Sequence, residues 1–226
     1  MIRNGTVSDL RQPKAYMLKG TVIETGYYKI LQTRIVPKLI DLNLTPNHIT
    51  CAGLLMSVVA GVCFAYLPFL GGLVTLLTGL LDSLDGALAR ATGQSRKFGA
   101  FLDSVTDRYT ELLTYLGIWF YMQRTDAPSA YPLLIMLILF GSLMVSYTRA
   151  RAEGLGERCM GGIFQRGERI ILLGVAGILN PIINLIAAEG SIDLALKGVL
   201  IVLALGTNLT AMWRFMHVLN KLKKKV

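Results

Sequence analysis

Four aspartates, Asp82, Asp85, Asp103 and Asp107, stand in a stretch otherwise apolar enough to lie in a membrane. A carboxylate in hydrocarbon costs roughly 2.5–3.5 kcal/mol on insertion scales, so four together point to cation binding, proton movement or charge-compensated catalysis. Asp82 and Asp85 are three residues apart and share one helical face; Asp103 and Asp107 are four apart and share another. A short turn between the two segments predicts antiparallel neighbouring helices whose acidic faces oppose one another. Gly86 and Gly99, on the same helices, remove side chains where a backbone or ligand must approach closely. Carboxylates at such range repel one another and take up protons unless cations neutralise them. Oxygen-only ligands favour Mg²⁺, Mn²⁺ or Ca²⁺ over softer metals. With about two carboxylates per ion, the pattern suits a two-metal site for phosphoryl transfer. The bland alternative is interhelical salt bridging with Arg90 and Arg108, but two arginines do not balance four aspartates.

The elements that must position these residues follow from composition. The chain has 226 residues, 53% of them hydrophobic and 16% charged, with mean hydropathy +0.53. Soluble domains usually carry about 25% charged residues, so an all-α integral membrane protein is expected. The formal net charge of +9 does not imply nucleic acid, because the basic residues cluster at the ends of apolar runs, where anionic headgroups or phosphorylated substrates explain them. Cys51, Cys63 and Cys159 are odd in number and unpatterned, which argues against a disulfide framework or a zinc site. The first fifteen residues are polar and carry no apolar signal segment, so insertion is expected to start at an internal span.

A bilayer crossing needs about 20 apolar residues. Six runs qualify, near 49–67, 70–91, 98–122, 131–152, 169–188 and 192–219. Thr45-Pro46-Asn47 reads as the start of the first, and Asn180-Pro181 is expected to kink or interrupt the fifth. Arg90, Arg96 and Lys97 lie in the second link, five arginines from Arg149 to Arg169 in the fourth, and Lys221, Lys223, Lys224 and Lys225 in the tail; the 5–6 link holds only the acidic Glu189 and Asp193. The positive-inside rule then puts both termini, and the acidic site, on the cytoplasmic side of the cell membrane. Tyr27, Leu31, Ile35 and Leu39 repeat at helical spacing before the first span. They describe an amphipathic helix that either lies along the headgroups or packs on the bundle's cytoplasmic end. The chain divides into a cytoplasmic segment (1–44), a six-helix transmembrane domain (45–220) and a basic tail (221–226).

Asp82-x2-Asp85-Gly86-x2-Ala89-Arg90-x8-Gly99-x3-Asp103-x3-Asp107 resembles, at all eight specified positions, the signature of the CDP-alcohol phosphotransferase family. The resemblance covers about residues 26–220. It implies transfer of a substituted phosphoryl group from a CDP-linked donor to an acceptor hydroxyl with release of CMP, by a homodimer using two divalent ions, Mg²⁺ or Mn²⁺. It implies that Asp82, Asp85, Asp103 and Asp107 are metal ligands and that Asp107 is also the general base. The CDP-lipid, CDP-diacylglycerol or a relative, would meet Asn47, Thr50, Asp85, Gly86, Ala89, Arg90 and Gly99. Within the family, Ser146-Tyr147-Thr148-Arg149-Ala150-Arg151-Ala152-Glu153 and Arg166-x2-Arg169 are similar to the phosphatidylinositol-phosphate synthase branch, including its archaetidylinositol-phosphate relatives.

The acceptor is written in arginines. Arg214 lies well inside the last apolar run, where a charge should face a polar cavity. Convergent arginines favour an acceptor that already carries phosphate, gripped bidentately. By the resemblance, Arg149, Arg169 and Arg214 hold the phosphate of inositol phosphate; glycerol 3-phosphate offers the same handle. For Arg149, Arg151 and Arg166 the bland reading is attachment of the cytoplasmic end to lipid headgroups. His48 and His217 are isolated and receive no role. A cation transporter is the competing class, but it predicts a mid-bilayer acidic site with repeated or discontinuous helices. Here the acids gather toward one side beside arginines that would repel cations.

Overall fold

The computed structural model describes residues 22–94, 97–125, 130–159, 161–187 and 193–224. Arg96, Glu189 and Lys225, which contribute to the orientation argument, lie outside the described residues, as does the polar stretch 1–21. Every regular element among the described residues is a helix: α1 (Val22–Ile30), a π-helical turn (Leu31–Ile35), α2 (Val36–Asp41), α3 (Pro46–Tyr66), α4 (Pro68–Ala91), α5 (Lys97–Arg124), α6 (Ala130–Gly154), α7 (Arg166–Ile186) and α8 (Leu194–Lys223).

Helices α3, α4, α6, α7 and α8 lie over five of the six expected apolar runs, and α5 lies over the third of them. Thr45 caps α3 in a reciprocal box, its hydroxyl accepting from the His48 amide and its own amide donating to His48 Nδ1, both at 3.4 Å. Pro46 follows at the first helical position, where a missing N–H is harmless. His48 thus serves the helix start. The interruption expected at Asn180-Pro181 does not occur, since α7 runs through Pro181 to Ile186. Asn180 instead donates to Asp193 Oδ1 at 2.6 Å and accepts from the Leu196 amide at 3.2 Å, tying α7 to the start of α8. Tyr121 of α5 donates to the same Asp193 oxygen at 2.9 Å, so the three helices are clasped at that end.

The helices form a ring. α3 packs on α4 and α5, α4 on α7, α7 on α8, α8 on α6, and α6 closes back on α5. α4 and α5 therefore pack on α3 rather than closely on one another, which corrects the expectation of adjacent neighbours. Glycines explain the correction. A Cβ on Gly117 of α5 would lie 1.9 Å from the Gly61 carbonyl oxygen of α3, and one on Gly72 of α4 would lie 2.4 Å from the Gly174 carbonyl oxygen of α7. Backbones meet at those seams, and the space between the acidic ends of α4 and α5 is left as a cleft.

Five helices, α3, α4, α6, α7 and α8, are long and apolar enough to cross a membrane, and the protein is an integral membrane protein. α5 is longer than four of these but polar on one side. Its exposed large hydrophobic residues are Phe98, Phe101, Val105, Tyr109, Leu112, Leu116 and Phe120, an apolar helical stripe. Its inward face carries Thr106, Thr110 and Thr114, whose hydroxyls donate to carbonyls one turn back. The exposed side is the oily one, the reverse of a water-soluble helix. The segment before α3 buries Leu31 and Val36 against Leu84, Ala87 and Leu88 of α4. Of its two sequence readings, packing on the bundle end is the one these contacts describe.

Candidate active site

The ends of α4, α6 and α8 and the beginnings of α3, α5 and α7 meet at one end of the ring, and the acidic residues gather there. Asp82, Asp85 and Asp103 each present a carboxylate oxygen within 4.8 Å of the others. Helical spacing turns both α4 aspartates inward, and α5 brings Asp103 from across the cleft. Thr50 of α3 donates to Asp85 Oδ2 at 2.7 Å, fixing that carboxylate from below. Asp107, Thr78, Thr106 and Thr110 line the same cleft. Hard oxygen donors from two helices, drawn together in this way, fit a divalent cation.

The remaining signature residues continue toward the end of α4 and the start of α5. Gly86 lies beneath Arg90, whose Nη1 would be 3.3 Å from a Cβ at that position, and Gly99 faces the Asn47 side chain, 3.8 Å from where its Cβ would be. Ala89 is half-buried between them and Arg90 is exposed. These residues form a rim beside the carboxylates, with Thr50 below and Asn47 opposite.

The three arginines assigned to an acceptor phosphate occupy the neighbouring corner. Arg169 is 3% exposed; its Nε donates to Glu111 Oε1 at 3.1 Å, its Nη2 pairs with the same oxygen, and its Nη1 donates to the Phe164 carbonyl at 2.9 Å. Arg214 is equally buried and donates to the carbonyls of Gly161 at 2.8 Å and Val145 at 2.6 Å. Arg149 pairs with Glu153 at 2.8 Å. The three forks are held by carbonyls and carboxylates of the protein.

Two residues that sequence spacing did not assign complete the network. Arg166 Nη1 lies 2.5 Å from Asp82 Oδ1 and 2.9 Å from Asp107 Oδ1, bridging α4 and α5 from the first residue of α7. Glu111 receives Arg169, the Ser142 hydroxyl and Arg108, the last at 3.2 Å. Arg108 also reaches Asp107 at 3.7 Å. The salt-bridge alternative therefore contains part of the truth, with Arg166 in the place given to Arg90. Glu111 carried a signal, since it continues the four-residue spacing of Asp103 and Asp107. Arg166 carried none for contact with the aspartates, only its place in a basic link and in the Arg166-x2-Arg169 resemblance.

A family model for CDP-alcohol phosphatidyltransferases matches residues 43–209. The chain belongs to the CDP-alcohol phosphatidyltransferase family. It is a transferase of that type, which removes the cation transporter from consideration. The chain is 42% identical over 153 residues to the archaetidylinositol phosphate synthase of Pyrococcus horikoshii, covering 66% of this chain and 77% of that one. Its fold is similar to the crystal structure of Mycobacterium tuberculosis phosphatidylinositol phosphate synthase with CDP-DAG bound, with TM-score 0.73 and 28% identity across 84% of this chain and 94% of that one. It is also similar to the same mycobacterial protein in complex with manganese and citrate, with TM-score 0.71 across 83% of this chain and 88% of that one.

Proposed function

We propose that this transferase moves a phosphatidyl-type group from a CDP-lipid to a hydroxyl of inositol phosphate, releasing CMP. The observation that carries the proposal is the gathering of Asp82, Asp85 and Asp103 oxygens within 4.8 Å, beside Asp107. Asp82, Asp85, Asp103 and Asp107 would hold two ions, Mg²⁺ in the cell with Mn²⁺ able to substitute. When bound, such ions neutralise the donor's diphosphate oxygens and stabilise the CMP leaving group.

The protein's own residues supply the rest. Asn47, Thr50, Asp85, Gly86, Ala89, Arg90 and Gly99 cradle the nucleotide and diphosphate, with the two glycines keeping the floor low. Asp107 accepts the proton of the attacking hydroxyl, positioned on the α5 side of the cleft. Arg149, Arg169 and Arg214 grip the acceptor's phosphate. Their pre-set forks lose little freedom on binding, which favours a phosphorylated acceptor over a neutral alcohol. The similarity to inositol-phosphate-using synthases supports inositol phosphate; glycerol 3-phosphate offers the same phosphate beside hydroxyls.

The lipid donor requires the site to open at the membrane. α5 would be the sixth span, its apolar stripe facing lipid and its carboxylates facing the cleft. Basic links and tail would place the site and both termini on the cytoplasmic side. The helices of 22–41 would rest at that membrane face as part of a cytoplasmic segment (1–44), ahead of the transmembrane domain (45–220) and the basic tail (221–226). The enzyme would work as a homodimer. The experiment is CMP release by the purified protein with CDP-diacylglycerol, Mg²⁺ and a panel of acceptors. Release that depends on inositol phosphate is the expected result. Release only with glycerol 3-phosphate would reassign the acceptor, and release with neither would overturn the proposal.

A further inference from the structure

Arg166 stands among the carboxylates in a way that divides them into two sets. Asp82, Asp85 and Asp103 already point oxygens at a common centre. Asp107 is outside that group: its Oδ1 takes Arg166 Nη1 at 2.9 Å and its Oδ2 faces Arg108 at 3.7 Å. The same Arg166 nitrogen is 2.5 Å from Asp82 Oδ1, so the guanidinium fills the gap that a cation joining Asp82 to Asp107 would need. Only 14% of its side chain is exposed, and its Nε has no partner among the described residues. The group is held there by charge rather than by a full set of hydrogen bonds, and such a group is free to be drawn away by a better anion.

Charge counting gives the consequence. With Glu111 balanced by Arg169, Arg108 and Arg166 offset half the charge of the four aspartates, and one divalent ion offsets the remainder. A second divalent ion then adds positive charge with nothing to match it. The diphosphate of a CDP-linked donor carries two negative charges, so it matches that ion on arrival, and its oxygens also attract the guanidinium. We propose that Arg166 is a resident counter-ion for the Asp82–Asp107 pair, which keeps the second divalent ion out until the donor's diphosphate binds. Resting on the two-ion reading above, this makes binding ordered: one ion, then donor and second ion together. It also shields Asp107 from an ion when no donor is present.

The test is a Mn²⁺ titration followed by electron paramagnetic resonance, which reports bound and free ion without turnover. CDP serves as the soluble diphosphate probe. Wild type should bind one ion per chain without CDP and two with it. Arg166→Gln should bind two ions without CDP, the second at least tenfold more tightly than in wild type, while Arg166→Lys keeps the wild-type pattern. Binding of the first ion by Arg166→Gln reports that its Asp82, Asp85 and Asp103 cluster is intact. Two ions of equal affinity on wild type without CDP would overturn the proposal, a result that needs no variant. An Arg166→Gln protein that still binds one ion would overturn it as well. Wild type that binds no ion in either condition would sink the metal reading itself, and is thereby distinguishable from failure of the counter-ion alone.

Discussion

Asp107 differs from the other three aspartates in its company. Asp82, Asp85 and Asp103 face a common centre, whereas Asp107 is held between Arg166 and Arg108 on the side of the cleft nearer the arginine corner. That position suits a group that meets the acceptor hydroxyl. Removing its charge while keeping its shape should therefore stop proton transfer. Asp107→Asn is expected to lower turnover by about 10²–10⁴-fold even at saturating donor and Mn²⁺, as measured by CMP release. Unchanged turnover would remove Asp107 from the role of base. Residues of the signature were legible because helical spacing alone puts Asp82 with Asp85 and Asp103 with Asp107. Arg166 and Ser142 were not legible, since their partners lie on other helices far along the chain, and spacing is silent about which helices meet. Glu111 stood between these cases. It prolongs the acidic stripe of α5, but its buried pairing with Arg169 joins residues 58 apart.

At the level of elements, α5 is the helix whose identity is least evident from hydropathy. Its carboxylates, arginines and threonines lower its average, yet the threonine hydroxyls donate within the helix on its inward face while an apolar stripe is left outside. Five of the helices were readable as runs of about 20 apolar residues. Their adjacency was not. A short connection between α4 and α5 suggested direct packing, but the bare backbones of Gly61 and Gly117 draw α5 onto α3 instead. The seam makes a testable contrast. Gly117→Ala puts a methyl 1.9 Å from the Gly61 carbonyl oxygen and is expected to destabilise by about 1–3 kcal/mol or more, the range of overpacked cores. Gly198→Ala in α8 has nothing within 4 Å of the new methyl and should be neutral or stabilising by up to about 1 kcal/mol, through helix propensity alone. Thermal unfolding in detergent measures both. Equal behaviour of the two variants would show that α3 and α5 are not in backbone contact.

Across the whole molecule, polarity is sorted by end as well as by face. The acidic cleft and the arginine corner share one end of the ring. The other end is held by Asp193 with Tyr121, Asn180 and Asn184, and the apolar core of Phe64, Ile118, Met122, Ile138, Leu200 and Leu203 lies between α3, α5, α6 and α8. The Lys/Arg asymmetry of the links led to the expectation of chemistry at the basic end, because the same charges that orient a chain in a bilayer also attract phosphorylated substrates. The ring order that leaves a gap between α4 and α5 depends on side-chain volumes at several seams together, and no single segment encodes it. The central claim is that this gap is a divalent-cation site on which the transferase chemistry depends. Anomalous scattering from crystals grown with Mn²⁺ and CDP tests it most directly. The expected map has a peak within coordinating distance of Asp82, Asp85 and Asp103, with a second beside Asp107. A map with no peak in the cleft, or with Mn²⁺ bound only elsewhere on the protein, would contradict it.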